Sequence, residues 1–506
     1  VGIGRNALSN NTTASNNVAV GDSALNGNTT GVQNTASGSR ALEVNTTGRE
    51  NIGIGYASLV NNTTGDNNVA VGRSALGANT TADDNTAVGK AALGANTTGT
   101  KNVAVGGLAL DANTTASNNV AVGYQALTNN STGGSNCAVG RLALAQNQTA
   151  SNNTAMGHNA LYANTIGTQN TAFGSLALDH VTTASNNTAV GYNCLGTMGN
   201  GGGSGGNTAV GSNAGVDVTN GIFNVIIGSH TGYDLTTGSR NTLVGTNAGA
   251  NITTSNQNTA IGYDVLKELT TGYSMTAVGH GALDTATTGY DNNAYGVDCL
   301  RSCTTGVNNS GYGKDSLALV TTGAHNTAVG VQAGDNLTTG NSNILIGRGV
   351  DASSASVSDE ITLASGTSGN GSGTFYVHST SGAYNGTNNQ HWSQTSDERI
   401  KKNITNYDTG LSIINKLQVR TFEYKTKDEI KSANAELTDV LSSVENVLNI
   451  SGVQKGLIAQ EAEAVDSNLV TTPSTGIKAL NPDDIFWYML NAIKELSAKV
   501  TALEAG

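Results

Sequence analysis

Ser396 and Lys401 stand five residues apart in the run Ser396-Asp-Glu-Arg-Ile-Lys401-Lys-Asn-Ile404. Together they could carry out acyl transfer. A serine hydroxyl is a weak nucleophile until a base takes its proton. A lysine amine can be that base only when uncharged, and its ordinary pKa of about 10.4 keeps it protonated. Desolvation has to strip the charge, so the pair needs a folded domain around it. The spacing alone carries little; the surrounding sequence decides.

That surrounding changes character at this run. The chain has 506 residues, of which 66 are Gly, 2 are Pro, 12% are charged and 4% are aromatic. Such a composition reads as disorder unless it is ordered along the chain, and here it is. The net charge of −12 gives no basic footprint for nucleic acid. No run of about 18 apolar residues predicts a membrane span. The sequence opens in mid-repeat at Val1-Gly-Ile-Gly4, so a native N-terminal part is expected ahead of it. Cys137, Cys194, Cys299 and Cys303 form no CxxC pair. All four read as small core fillers rather than metal ligands or a disulfide framework.

Residues 1–347 repeat every 17 residues, as in Asn68-Val-Ala-Val-Gly72-Arg-Ser-Ala-Leu76-Gly-Ala-Asn79-Thr-Thr-Ala-Asp-Asp84. About 21 copies follow one another, delayed once by the Gly-rich run 201–206. The fifth position is Gly in every copy, which demands φ > 0 or very close backbone approach. The residues before it predict a short strand. Ala-Leu at positions eight and nine predicts a second strand or a corner, and Asn-Thr-Thr-Gly the next turn. Proline is absent from the array, as expected where nearly every N–H serves a ladder. Coils this short must stack, at about 4.8 Å each, into a rod of about 100 Å.

Position twelve is Asn in ten consecutive copies, Asn11 to Asn164, and largely apolar from Val181 onward. Position nine, normally Leu, is Gly at Gly215, Gly232, Gly249 and Gly334, each in a copy with an apolar residue at twelve. Both positions are therefore expected to face one interior, polar in the first half and greasier in the second. The Asn-Thr-Thr triplets match a glycosylation sequon but read as turn chemistry. Position six varies most, with Tyr56, Arg73, Lys90, Tyr124 and Arg141 among its occupants. It reads as a solvated face that could also contact glycans. The Asn-Thr/Ser-Val-Ala-Ile/Val-Gly pattern resembles the head repeats of trimeric autotransporter adhesins, which implies stacked β-rolls packed as trimers.

Regularity fails after Gly347. Residues 348–395 read as a β-rich neck, with short strands in Glu360–Ala364 and Thr374–His378. From 396 on, charged residues rise to about a quarter, a normal globular value. Helical patterns cover Thr409–Leu417 and the region around Glu429–Leu448. Asn481-Pro482-Asp483-Asp484 reads as an N-cap and acidic first turn. The apolar seam Phe486, Met489, Ile493, Leu496, Val500 and Leu503 predicts a coiled coil over about 482–504.

The run at Ser396, the stretch Gly456-Leu-Ile-Ala-Gln-Glu461 and the chain end resemble the peptidase S74 family. These are the self-cleaving C-terminal chaperones of trimeric phage tail fibres and tailspikes. The resemblance implies Ser396 as nucleophile, Lys401 as base and Thr395–Ser396 as the scissile bond. Lys402 is a neighbouring alternative, which the five-residue spacing disfavours. Asp397, Glu398, Arg399 and Asn403 would be structural or orienting. It implies an autoproteolytic serine endopeptidase that acts once on its own chain, without cofactor or metal.

The expected architecture is mainly β: a trimeric stacked β-roll or β-solenoid (1–347), a β-rich neck (348–395), and an α+β chaperone domain ending in a coiled-coil helix (396–506). The expected function is a structural and host-receptor-binding tail fibre of a tailed phage, made in the host cytoplasm and carried on the virion. Its partners would be two further copies, a host surface receptor of the glycan class, and the phage tail or baseplate through the preceding N-terminal part. Nucleic acid and membrane insertion are not expected. The alternative is a bacterial trimeric surface adhesin with the same chaperone module. A glycan-degrading tailspike would need a carboxylate cleft on a long insertion, which the repeats lack. A membrane-tethered transcription factor would need a DNA-binding segment, and none is visible.

Overall fold

The computed structural model describes residues 1–199, 205–377, 383–385, 393–394, 405, 407–426, 429–430, 452–471 and 478–506. The chain divides into two compact units, Val1–Thr395 and Ser396–Gly506.

In the first unit each 17-residue coil contributes one short strand, from β1 (Gly2–Ile3) through β5 (Val69–Val71), β6 (Thr86–Val88) and β9 (Cys137–Val139) to β21 (Ile344–Ile346). Neighbours pair in parallel with like residues opposite, Ala70 on Ala87 and Val71 on Val88. The Gly-rich insertion is absorbed without slip: Ala189 pairs with Ala209. The fold is a parallel β-solenoid. The ladder does not stop at Gly347. Strands β22 (Ile361–Leu363) and β23 (Phe375–Val377) add in parallel, and β24 (Ala383–Asn385) and β25 (Ser393–Gln394) close it antiparallel.

The position-five glycines have φ between +125° and +145°. A Cβ on Gly89 would stand 2.5 Å from the carbonyl oxygen of Gly106 one coil on. Both reasons for glycine therefore hold at once. Positions eight and nine form no second strand; they lie in a turn, with Leu76 left-handed at φ 49°. That conformation costs a leucine about 1–2 kcal/mol. Full burial of its side chain, worth about 1.5–3 kcal/mol, offsets it. Main-chain N–H groups reach the coils on either side even here: Leu76 donates to Ala92 O of the next coil at 3.0 Å and Ser74 to Tyr56 O of the preceding one at 2.9 Å.

The interior holds alanines at positions three and eight, leucine at nine, and the residue at twelve. In the first half the twelfth-position asparagines form a buried ladder. Asn79 Nδ2 donates to Asn62 Oδ1 at 2.8 Å and to Ala82 O at 3.1 Å, and the pattern climbs to Asn164. The ladder ends where the sequence switches. Val181 follows, and Asn164 Oδ1 has no partner. Burial of these asparagines assigns the Asn-Thr-Thr triplets to turn building.

A second ladder at position one was not foreseen. Asn85 N–H donates to Asn68 Oδ1 at 3.0 Å, and Asn85 Nδ2 to Gly99 O at 2.9 Å. It continues into the neck, where buried Glu360 takes the place of Asn. Glu360 N–H donates to Asn343 Oδ1, and its carboxylate accepts from Ser353 N and Gly371 N.

In the second half Leu235 and Ile252 at position twelve are fully buried, as expected. The bulk missing at the position-nine glycines is also supplied from position three. A Cβ on Gly334 would meet Leu345 Cδ1 at 2.6 Å, and one on Gly215 would meet Ile226 Cδ1 at 2.8 Å. Cys194, Cys299 and Cys303 are core residues, and burial pushes their thiols up to about 12. Cys137 is not: it stands half-buried on the outward face of β9. All four are free thiols.

Candidate active site

Thr395, Ser396, Lys401 and Lys402 lie outside the described residues, as do Asp397, Glu398, Arg399 and Asn403. What is described is the second unit that carries them. Helix α1 (Leu411–Ile414) falls inside the predicted 409–417 segment. Of the segment predicted around 429–448, Glu429 and Ile430 are helical and the rest lies outside the described residues. Strands β26 (Arg420–Phe422) and β27 (Gln454–Gly456) pair antiparallel. Helix α2 (Ala459–Val465), a 3-10 turn at Ser467–Leu469, and the pair β28 (Val470–Thr471) and β29 (Ala479–Leu480) follow. Helix α3 (Pro482–Glu504) ends the chain.

The Gly456–Glu461 stretch now has a geometric sense. Phe422 packs over Gly456, where a Cβ would stand 3.3 Å from the ring. Two residues further the chain enters α2, and Glu461 takes a two-pronged ion pair from Arg420, at 3.0 and 3.1 Å. The stretch thus pins α2 to β26. Lys478 pairs with Glu463 on the same helix. Ala462, Leu469 and Tyr488 form the buried core, with Ile413, Ile414, Leu417 and Ile485 packed on it.

Helix α3 has two apolar faces. Tyr488 and Ala492 are buried against the unit. The predicted seam points away: Phe486, Met489, Ile493, Leu496, Val500 and Leu503 are 45% to 81% exposed. Asn481 occupies the N-cap position, but its side chain donates to Asp484 Oδ2 at 2.8 Å and caps no N–H.

The segment leading out of the Ser396–Ile404 run is tied to α3. Asn491 Nδ2 donates to the carbonyls of Tyr407 and Thr409. Tyr407 hydroxyl donates to Tyr488 Oη at 2.8 Å, and Tyr488 donates to Asp466 Oδ2. Glu495 accepts from Leu411 N–H at 3.2 Å. Gly410 sits against the α3 backbone; a Cβ there would stand 2.5 Å from the Asn491 carbonyl carbon. A cavity of 840 Å³ opens beside this tether, lined by Thr405, Tyr407, Asp484, Trp487, Asn491 and Lys494 among others.

The Tyr488 hydroxyl bond lowers the Asp466 pKa below its usual value and raises that of Tyr488. A carboxyl depressed below its unfolded value of about 3.9 stabilises the fold above that pH. The contribution disappears as pH falls through the folded value.

None of these tethering residues was singled out from sequence. Tyr488 and Ala492 follow Ile485 at 3-4 spacing, on a stripe one residue before the seam and beside it.

Gly410→Ala is expected to lift α1 from α3 at a cost of about 1–3 kcal/mol. Hydrogen exchange would read it as lost protection at Ile413 and Ile414, whose N–H groups bond Gly410 O. Unchanged protection would contradict the close approach.

Comparison with known families matches residues 396–471 to peptidase S74, described as the chaperone of endosialidase. No curated protein matches the chain, and no solved structure does. The family implies autoproteolytic chaperone activity, and the combination fits a tailspike- or fibre-type protein. This chain therefore joins a β-solenoid of 17-residue coils to a C-terminal segment, residues 396–471, that matches the peptidase S74 chaperone-of-endosialidase family.

Proposed function

We propose that this protein is a homotrimeric tail fibre of a tailed phage whose C-terminal unit directs assembly and then cuts itself off at Thr395–Ser396. One coincidence carries this reading. The family match begins at Ser396, and the two compact units meet between Thr395 and Ser396. Cleavage there would part the units while cutting neither.

In the proposed chemistry uncharged Lys401 takes the Ser396 hydroxyl proton. The Ser396 oxygen attacks the Thr395 carbonyl carbon. The Thr395–Ser396 amide breaks, its nitrogen takes the proton back from Lys401 and leaves as the Ser396 amine, and an ester links the two residues. Water then hydrolyses the ester, giving a Thr395 carboxylate and restoring the serine hydroxyl. The reaction runs once per chain and has no external substrate.

The exposed seam of α3 supports a coiled coil of three copies. Tyr56, Tyr124 and Tyr192 at position six are half exposed and recur every 68 residues, four coils apart. This regular aromatic column supports contact with a host surface glycan. Attachment to the phage tail would fall to a preceding N-terminal part.

Lys401→Met is expected to slow self-cleavage by about a thousandfold or more, as loss of half a catalytic pair does. Lys402→Met should leave the rate close to wild type. First-order fragment formation after refolding, followed on denaturing gels, reads both. The reverse pattern would move the base to Lys402.

A further inference from the structure

The outward face of the solenoid sheet carries chemistry that its exposure does not explain. In each strand the middle residue points inward and its two neighbours point out. Over β1–β22 this gives two outward columns, at positions two and four, of 22 residues each. Neither column contains a charged residue. Position four is apolar in every strand but one, where it is Ser37. Yet Val20, Ile54, Val105, Ile261 and Ile346 are 37% to 41% exposed, and Phe173 is 52% exposed.

Strand propensity alone does not account for this. Threonine suits an exposed strand as well as valine, and position two uses it in ten strands. Position four never does. Soluble monomers rarely present contiguous apolar patches beyond a few hundred Å².

We infer that the position-two and position-four face of the solenoid is the contact surface between copies of this chain, with their coils in register. The inference rests on the homotrimeric reading above and assigns the face through which the shafts meet. The repeat points to a second copy as the occupant: it presents an uncharged coil with the same rise, set by the strand spacing of about 4.8 Å, at every matching height along 22 strands. The size fits as well. A standard interface uses about 20–30 residues a side, and the two columns offer 22 + 22 = 44.

The test compares two triple variants of the full chain. Val88→Lys, Val105→Glu and Val122→Lys place charges at position four of three successive coils. Alternating signs attract along the ladder within one chain, and long side chains can snorkel from a half-exposed site. Thr81→Lys, Thr98→Glu and Thr115→Lys place the same charges on exposed sites of the same coils. Light scattering should give a multi-chain mass for wild type and the threonine variant. After self-cleavage removes the α3 seam, the 1–395 shaft fragment of the valine variant should give a single-chain mass with unchanged far-ultraviolet circular dichroism, and that of the wild type a multi-chain mass.

Native thiol labelling supplies a readout that does not depend on the variant folding. Cys137 lies on the outward face at position two, and the other three cysteines are buried. In the wild-type assembly Cys137 should resist a maleimide. A multi-chain wild-type shaft whose mass survives the valine substitutions, or whose Cys137 labels freely, overturns the inference. A single-chain wild type would instead overturn the trimeric reading on which it rests.

Discussion

Chains ending at Thr395 are expected to assemble into aggregates and mis-registered rods rather than uniform, heat-resistant ones. The solenoid explains why. Successive coils present nearly the same outward strand, such as Val103-Ala-Val105 and Val120-Ala-Val122. Two shafts displaced by one coil would remake almost every contact and lose only those at the ends. Sheet register is weakly specified wherever displaced pairings look alike. Few features break the repetition: the Gly-rich run 201–206, the switch at position twelve at Val181, and the position-nine glycines. The latter two sit inside each coil, where a neighbouring chain does not read them. A C-terminal clamp would fix three chains at one end and raise their effective concentration there. Once formed in register, the rod would be held kinetically and no longer need the clamp. Light scattering and electron microscopy of residues 1–395, with and without the remaining 111, would show the difference. Uniform rods from the shorter chain would remove the need for a chaperone.

Gly89→Ala is expected to open the shaft locally, at a cost of about 2–6 kcal/mol from backbone strain and overpacking together. The residue has φ +138°, and its missing Cβ would fall 2.5 Å from the Gly106 carbonyl oxygen. The obstacle is backbone shared with the whole ladder, so no side chain can swing aside. Because a solenoid is stabilised by nearest-neighbour contacts, the damage should stay within a few coils. Hydrogen exchange should show lost protection from about Val71 to Val105 and normal protection far away. Gly77→Ala is the control. Its nearest obstacle is Ser74 O at 3.2 Å and its φ is not positive. Equal effects from the two substitutions would refute the role given to position five.

Much of the shaft was legible because 21 copies act as an internal comparison. Glycine at position five and the apolar shift at position twelve announced close approach and an interior. The second strand predicted at positions eight and nine failed because apolar alternation cannot reveal that Leu76 is left-handed. Asparagine at position one stood in plain view. Its place at the head of each strand predicts a strand residue, since a polar side chain rarely signals burial, and only bonds such as those of Asn85 to Gly99 O and Asn68 Oδ1 explain it. Cys137 was misplaced for a related reason: a cysteine looks like a core residue until the two-residue alternation of its strand puts it outside. In the C-terminal unit the seam of α3 was visible as a 3-4 pattern. Its inner face was not, since Tyr488 and Asn491 act through contacts with Tyr407 and Thr409, about 80 residues away in sequence. The catalytic roles of Ser396 and Lys401 rest on the family resemblance and the module match.

The most direct test is the intact mass of the full chain and of Ser396→Ala, expressed and purified in parallel. The wild type should yield two fragments, one ending at Thr395 and one beginning at Ser396. The variant should remain one uncut chain of the same oligomeric state. An uncut wild type, a cut at another bond, or a variant cleaved like the wild type would each break the proposed link between Ser396 and the release of the chaperone.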